Sequence, residues 1–222
     1  MSAWFRHKAA KLEPMTTGPP IWFTSDTHFG HRMMATRWRP FDGDIDAMDD
    51  TLIRVWNSRI GPTDTVYHLG DFTFRNRGMS EYLLSHLNGQ IHLIRGNHDH
   101  TTDRLRDSFA SYSPYREIKV RYYSTVAEAW VPNQRIVLCH FPIQSWNQMN
   151  HGSWHLHGHC HNNLPQIPGK RLDVGVDNPP PAYREQFAPW SLAEVADFMD
   201  HQPIWTPGDH HTLGEPGTRS LQ

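Results

Sequence analysis

The chain has 222 residues, enough for one substantial domain and short for two. A net charge of -2 sets up no global basic field, which argues against extended duplex nucleic acid as the main partner, while nine tryptophans and ten phenylalanines can fill a core. Two cysteines, Cys139 and Cys160, exclude a disulfide framework and suit a reducing, cytoplasmic compartment, and no apolar run has the length of a membrane span or signal-peptide core.

Residues 1–20 end in the breaker cluster Thr16-Thr17-Gly18-Pro19-Pro20 and read as an N-terminal extension. A single domain is expected over 21–202, with the Pro-, Gly- and polar-rich stretch 203–222 as a flexible tail. Ile21 to Ser25 is a short apolar run between breakers, hence a buried strand, and it leads directly into Asp26-Thr27-His28-Phe29-Gly30-His31. From Asp46 to Ile60, residues Met48, Leu52, Val55, Trp56 and Ile60 recur at helical spacing, and Gly61-Pro62 stops the helix. Asp42, Asp44, Asp46, Asp49 and Asp50 cluster at its start without the later glutamate of a calcium loop, so they read as ordinary acidic charge at a helix N-terminus.

Thr65 to Leu69 is a second buried strand, ending in Gly70-Asp71. A short helix over Ser80 to Leu87 and the turn Asn88-Gly89 lead to the strand Ile91 to Ile94 and then Arg95-Gly96-Asn97-His98-Asp99, where Gly96 is expected to give a sharp turn with access to positive φ. A helix is predicted over Thr102 to Ala110. Strand with hairpin character follows over Tyr115 to Val131, then a buried strand Arg135 to Cys139 ending in His140. Trp154 to Leu156 is a shorter strand ahead of His157-Gly158-His159-Cys160-His161, and Lys170 to Val176 is the last. Ser191-Leu192-Ala193-Glu194 is a capping box that opens a helix to about His201. Strands alternating with helices in the first hundred residues specify a layered α/β domain with a largely parallel sheet.

Five of these strands end in a metal-capable residue: Asp26 and His28, Asp71, Asn97 and His98, His140, and His159 and His161. Strand carboxyl ends share one edge of a parallel sheet, so groups far apart in sequence can converge. A mixed imidazole and carboxylate set suits Mn, Fe, Zn or Ni, and its size fits two neighbouring divalent ions with one bridging carboxylate better than one tetrahedral ion. Asp26 and Asp71 leave such a centre net positive, which favours an anionic group such as phosphate. His98 beside the ions can serve as general acid, with Asp99 orienting it. His31 is a candidate phosphate contact or a surface histidine. His68, His92, His155 and His157 read as satisfied core or supporting groups, and Arg32, Arg37 and Arg39 as a small basic cluster, either a solvated face or a phosphate-recognition patch.

Asp26-Thr27-His28, Gly70-Asp71, Gly96-Asn97-His98-Asp99, His140 and Gly158-His159-Cys160-His161 resemble, in order, the five blocks of the calcineurin-like metallophosphoesterase superfamily, over residues 21 to 177. Phe29-Gly30-His31, Arg39-Pro40-Phe41 and His68-Leu69-Gly70-Asp71-Phe72 look like its small bacterial and phage members. The resemblance implies a four-layer α/β/β/α sandwich and hydrolysis of phosphate mono- or diesters, with a small molecule or nucleotide as substrate. It implies one ion on Asp26, His28, Asp71 and His161 and another on Asp71, Asn97, His140 and His159, manganese first and Fe, Zn, Ni or Mg as alternatives. A metal-bound hydroxide would be the nucleophile and His98 the acid. The second block continues Gly70-Asp71-Phe72-Thr73-Phe74-Arg75-Asn76, without the second acidic residue of protein phosphatases, which puts that role in doubt. Arg75 falls where those enzymes bind phosphate. Nuclease action on DNA or RNA and a catalytically silent scaffold are the competing expectations. No membrane partner is expected, and the oligomeric state is open.

Overall fold

A computed structural model describes residues 18–165, 168–184 and 186–205, so the expected extension and tail lie almost wholly outside the described residues. Its strands are β1 (Ile21–Thr24), β2 (Thr65–His68), β3 (Gln90–Ile94), β4 (Ser111–Ser113), β5 (Tyr115–Ser124), β6 (Ala129–Cys139), β7 (Trp154–His157), β8 (Arg171–Asp173) and β9 (Trp190–Ser191). Its α-helices are α1 (Ile45–Arg59), α2 (Arg77–His86) and α3 (Leu192–Asp200). They build an α/β fold with two mixed sheets, in the orders β4-β3-β2-β1-β9 and β5-β6-β7-β8. In the first sheet β1 to β4 are parallel and β9 is antiparallel to β1; in the second β5 and β6 form an antiparallel pair while β6, β7 and β8 are parallel.

Side-chain alternation decides which face each strand residue covers. On the inner faces Phe23, Leu69 and Ile94 meet Ile136, Leu138, Trp154, Leu156 and Leu172 in the core between the sheets. On the outer face of the first sheet Val66, Ile91 and Leu93 pack under Met48, Leu52 and Trp56 of α1 and Leu83 of α2. Asp44 caps α1 by accepting from the Ala47 amide at 2.9 Å, and Asn76 caps α2 by accepting from Met79 at 3.0 Å. The Ser191–Glu194 capping box is formed as its sequence implies. The outer face of the second sheet has a thinner cover: the loop 140–153, whose Trp146 and Met149 pack on Val137.

Local differences from the sequence reading have identifiable causes. Thr102–Ser108 is a tight 3-10 segment with a kink at Leu105 in place of the expected α-helix. The stretch read as two strands around Pro132 is one strand, β6, carrying a bulge. Arg121 opposes both Pro132 and Asn133, and Asn133 takes the left-handed conformation (φ 57°). β4 and β9 have three and two residues, too short to show a period.

His155 lies on the outer face of β7, fully buried beside Trp146, with ring centroids 5.3 Å apart. Its Nδ1 donates to the Val137 carbonyl at 3.2 Å and its Nε2 accepts from the Ile143 amide at 3.1 Å, a pairing that requires the neutral ring. Burial pushes its pKa down from 6.5 to about 3. Between those values the unfolded chain binds a proton that the folded chain refuses, so this contribution to stability is complete above about pH 6.5 and is lost as pH falls toward 3. The stability advantage of the parent over His155→Gln is therefore expected to shrink by on the order of 1 kcal/mol per pH unit between pH 6 and 4, read from denaturant midpoints. A pH-independent difference would mean that the ring is not held neutral.

Candidate metal centre

The pairing Thr24↔His68 aligns the carboxyl ends of β1 and β2, and the backbone stays paired beyond them. Asp26 N–H donates to the Gly70 carbonyl at 2.9 Å and His28 N–H to the Asp71 carbonyl at 3.1 Å, which seats Asp26 and Asp71 side by side. The second sheet is joined to the same edge. Ser25 bridges Gly175, His140 Nδ1 donates to the Leu69 carbonyl at 2.7 Å, and His159 N–H donates to Asp26 Oδ2 at 2.9 Å.

Two donor groups result, Asp26 with His28 and His161, and Asp71 with His140 and His159. Asp71 Oδ2 lies 3.8 Å from His28 Nε2 and 3.5 Å from His140 Nε2, so one oxygen faces both groups. Asp26 Oδ1 lies 3.7 Å from His28 Nε2 and 3.9 Å from His161 Nε2. Asn97 Oδ1 sits 3.0 Å from His140 Nε2 and adds a neutral oxygen to the second group.

The chemistry of these donors fits divalent cations. Asp26 Oδ1 and both ring nitrogens of His28 are buried without a hydrogen-bond partner, an arrangement that costs free energy unless something electropositive fills it. Burial above all lifts the Asp26 pKa to about 6, and burial followed by the Arg39 charge holds His28 far below its usual range, hence neutral. Leu69 O can only accept, so His140 carries a proton on Nδ1, and that bond turns Nε2 toward Asn97 Oδ1 and Asp71 Oδ2 as the atom available to a cation. His161 Nδ1 donates to Asp177 Oδ2 at 2.6 Å, which aims Nε2 inward, the usual support for a ligating histidine. Burial opposes a charge on His161, yet the Asp177 hydrogen bond and the Asp26 carboxylate raise its pKa.

The backbone is bent to achieve this. Asp26, His28, Asp71, His159 and His161 all sit at positive φ, between 47° and 70°, each at a cost of roughly 1–3 kcal/mol or less for the aspartates. Gly96 is not among the positive-φ residues, contrary to the expectation for it. Its role is close approach: a Cβ there would stand 2.2 Å from Asp71 Oδ1, and one on Gly158 would stand 2.3 Å from Asp26 Oδ2.

Asp99 does not orient His98. Fully buried, it accepts from the amides of Asp71 (2.9 Å), Phe72 (2.9 Å) and Gly96 (2.7 Å), tying the second and third blocks together. Burial raises its pKa and the three amides oppose that rise. His98 is exposed at the rim, its ring centroid 6.0 Å from His28 and 5.2 Å from Phe74, and its N–H donates to Asp71 Oδ1 at 2.8 Å. His31 stacks on Phe74 at 3.9 Å, also at the rim. Arg75 is committed elsewhere: its Nε donates to Asp49 Oδ2 at 2.9 Å and its Nη2 to Asp46 Oδ1 at 2.5 Å, so the acidic start of α1 anchors this loop in place of a phosphate. Arg39, expected with that basic cluster on a solvated face or in a phosphate-recognition patch, is buried. It makes a two-pronged pair with Asp177 at 2.9 Å and donates to the carbonyls of Asp26 and Thr27. Asp177 stands alone ahead of a proline cluster and outside the five blocks, so the sequence carries no signal for its role.

Asp99→Asn sets an amide NH2, a donor, against backbone donors and is expected to lose about 1–3 kcal/mol of stability together with metal content. A changed pH profile of turnover with both of those intact would restore the orienting role. Asp177→Asn frees His161 and is expected to weaken metal binding about 10–100-fold, measured by equilibrium dialysis.

Comparison with known proteins agrees with this geometry. The chain is 33% identical to the uncharacterized protein MJ1445 of Methanocaldococcus jannaschii, covering 70% of this chain and 80% of that protein. It is 30% identical to the Gene 66 protein of Mycobacterium phage L5, covering 70% of this chain and 86% of the phage protein. The solved structure of AQ665, a protein of unknown function from Aquifex aeolicus, shares the fold with a TM-score of 0.55 at 22% identity, over 78% of this chain and 96% of that one. The model of the calcineurin-like phosphoesterase family matches residues 19–222, and the chain belongs to that family.

Proposed function

We propose that this protein hydrolyses phosphate esters at a dinuclear metal centre, with a phosphorylated small molecule or nucleotide as substrate. The observation that carries the reading is Asp71 Oδ2, placed between His28 Nε2 and His140 Nε2, beside the unpaired buried Asp26 Oδ1 and His28 ring nitrogens. Asp26, His28, His161 and Asp71 would hold one ion, and Asp71, Asn97, His140 and His159 the other. Two divalent ions in such a site supply Lewis-acid charge to phosphate oxygens and bring the pKa of water toward neutrality; manganese suits the mixed donors, as do Fe, Zn, Ni and Mg.

The residues of the chain do the rest. Against two divalent cations, the two aspartates leave a net charge of about +2, which draws in an anionic ester. Each aspartate has one oxygen fixed by a backbone amide, from His159 or His98, so the other oxygen keeps its place without reorganisation. His98 at the rim can hold a proton on a ring nitrogen and hand it to the departing oxygen. Phe74 lies against its ring and His31 stacks in turn on Phe74, an aromatic rim on that side.

Chelated protein should be inactive on 4-nitrophenyl phosphate and bis(4-nitrophenyl) phosphate and should recover turnover of at least one when Mn²⁺, Ni²⁺, Zn²⁺ or Mg²⁺ is restored. His98→Ala should lower kcat about 10²–10⁴-fold with metal content unchanged. Failure of every metal on both esters, or full activity of His98→Ala, would sink the reading.

A further inference from the structure

A cavity of about 740 Å³ opens beside the metal centre, with His161 in its wall. That volume falls in the range of small-molecule sites and exceeds what a bare phosphate needs. Its other walls are mainly apolar, with Trp38, Pro40, Pro179 and Phe187 among them and the cationic Arg184 at one side. Trp38 ends a single turn of wide, π-type helix (Met34–Trp38) and is 71% exposed, so burial in a core does not account for its indole. Phe187 is held at φ 51°, a conformation a bulky residue avoids. It is braced by Phe41 at 5.8 Å and by the Arg39 guanidinium 5.5 Å from its ring centroid. Strain of this kind persists where the surroundings fix a side chain for use, and binding clamps are one such place. Arg184 has no ion-pair partner among the described residues.

We propose that this cavity receives a planar heteroaromatic group, a nucleobase, attached to the phosphate that sits at the metal centre. The assignment rests on the phosphoesterase reading and narrows its substrate to nucleotide esters. Trp38 and Phe187 offer faces for stacking, the prolines keep the walls rigid, and Arg184 can stack on the ring or donate to its polar edge.

The test uses the full chain loaded with Mn²⁺ and two esters with one leaving group: thymidine 5′-(4-nitrophenyl) phosphate and methyl 4-nitrophenyl phosphate. The ratio of their kcat/KM values should favour the nucleoside ester at least about fivefold, the low end of base stacking on an aromatic side chain. Trp38→Phe should keep the ratio and Trp38→Leu should bring it near one. A ratio near one in the parent, or one that Trp38→Leu leaves intact, overturns the proposal. A second arm needs no turnover: calorimetric titration with AMP and with ribose 5-phosphate. Tighter binding of AMP by the same factor, erased by Trp38→Leu, supports the cavity even if neither ester is hydrolysed, in which case the catalytic reading alone fails. Equal binding of the two by the parent overturns the cavity.

Discussion

Two carboxylates, Asp26 and Asp71, are buried next to each other at the ends of adjacent parallel strands, and the rest of the centre exists to make that tolerable. Each has one oxygen tied to a backbone amide and one turned toward imidazoles. Both free oxygens turn on His28 Nε2, so two carboxylates converge on one buried ring, a place that a cation suits. The positive-φ backbone around them, the missing side chains of Gly96 and Gly158 and the amide-filled Asp99 are all consequences of bringing the two together. Divalent cations would reverse the penalty, turning the most strained part of the edge into its most tightly bound.

The histidines show how surroundings divide one residue type into different tasks. His155 and His68 are fully buried with both ring nitrogens paired to protein groups, and burial holds each near a pKa of about 3. His28 is equally buried, yet neither of its nitrogens has a partner. His140 and His161 lie between these cases, one nitrogen anchored to Leu69 O or Asp177 and the other turned to the centre. The difference lies in what each second nitrogen meets, and that is set by the meeting of the two sheets.

Arg39 links the centre to the neighbouring cavity. It pins the carbonyls of the first block, pairs with the carboxylate that holds His161, and lies against Phe187. A change in the cavity wall can therefore be felt at His161 through one buried guanidinium. On the opposite side Arg75 plays a comparable anchoring part between Asp46 and Asp49, and Gly30 leaves room for its aliphatic stem.

The amino-acid order was sufficient for the α/β class and the main helices and strands, and it singled out seven side chains, from Asp26 to His161, that the fold gathers at one edge. Periodicity and strand-end chemistry are local properties, and each block can be read without knowing where the others lie. The short strands β4 and β9, the joining of β6 across Pro132 and the kinked segment at Thr102–Ser108 were not legible, because each depends on pairing or packing from outside its own stretch. The same holds for roles. Asp99 stands next to His98 in the chain, yet its oxygens face the amides of Asp71, Phe72 and Gly96, and Arg39 and Asp177, 138 positions apart, form one buried pair. Residue identity settles which chemistry a side chain can perform. Only the folded backbone, by choosing which donors and acceptors lie within about 3 Å, decides which of those chemistries it performs.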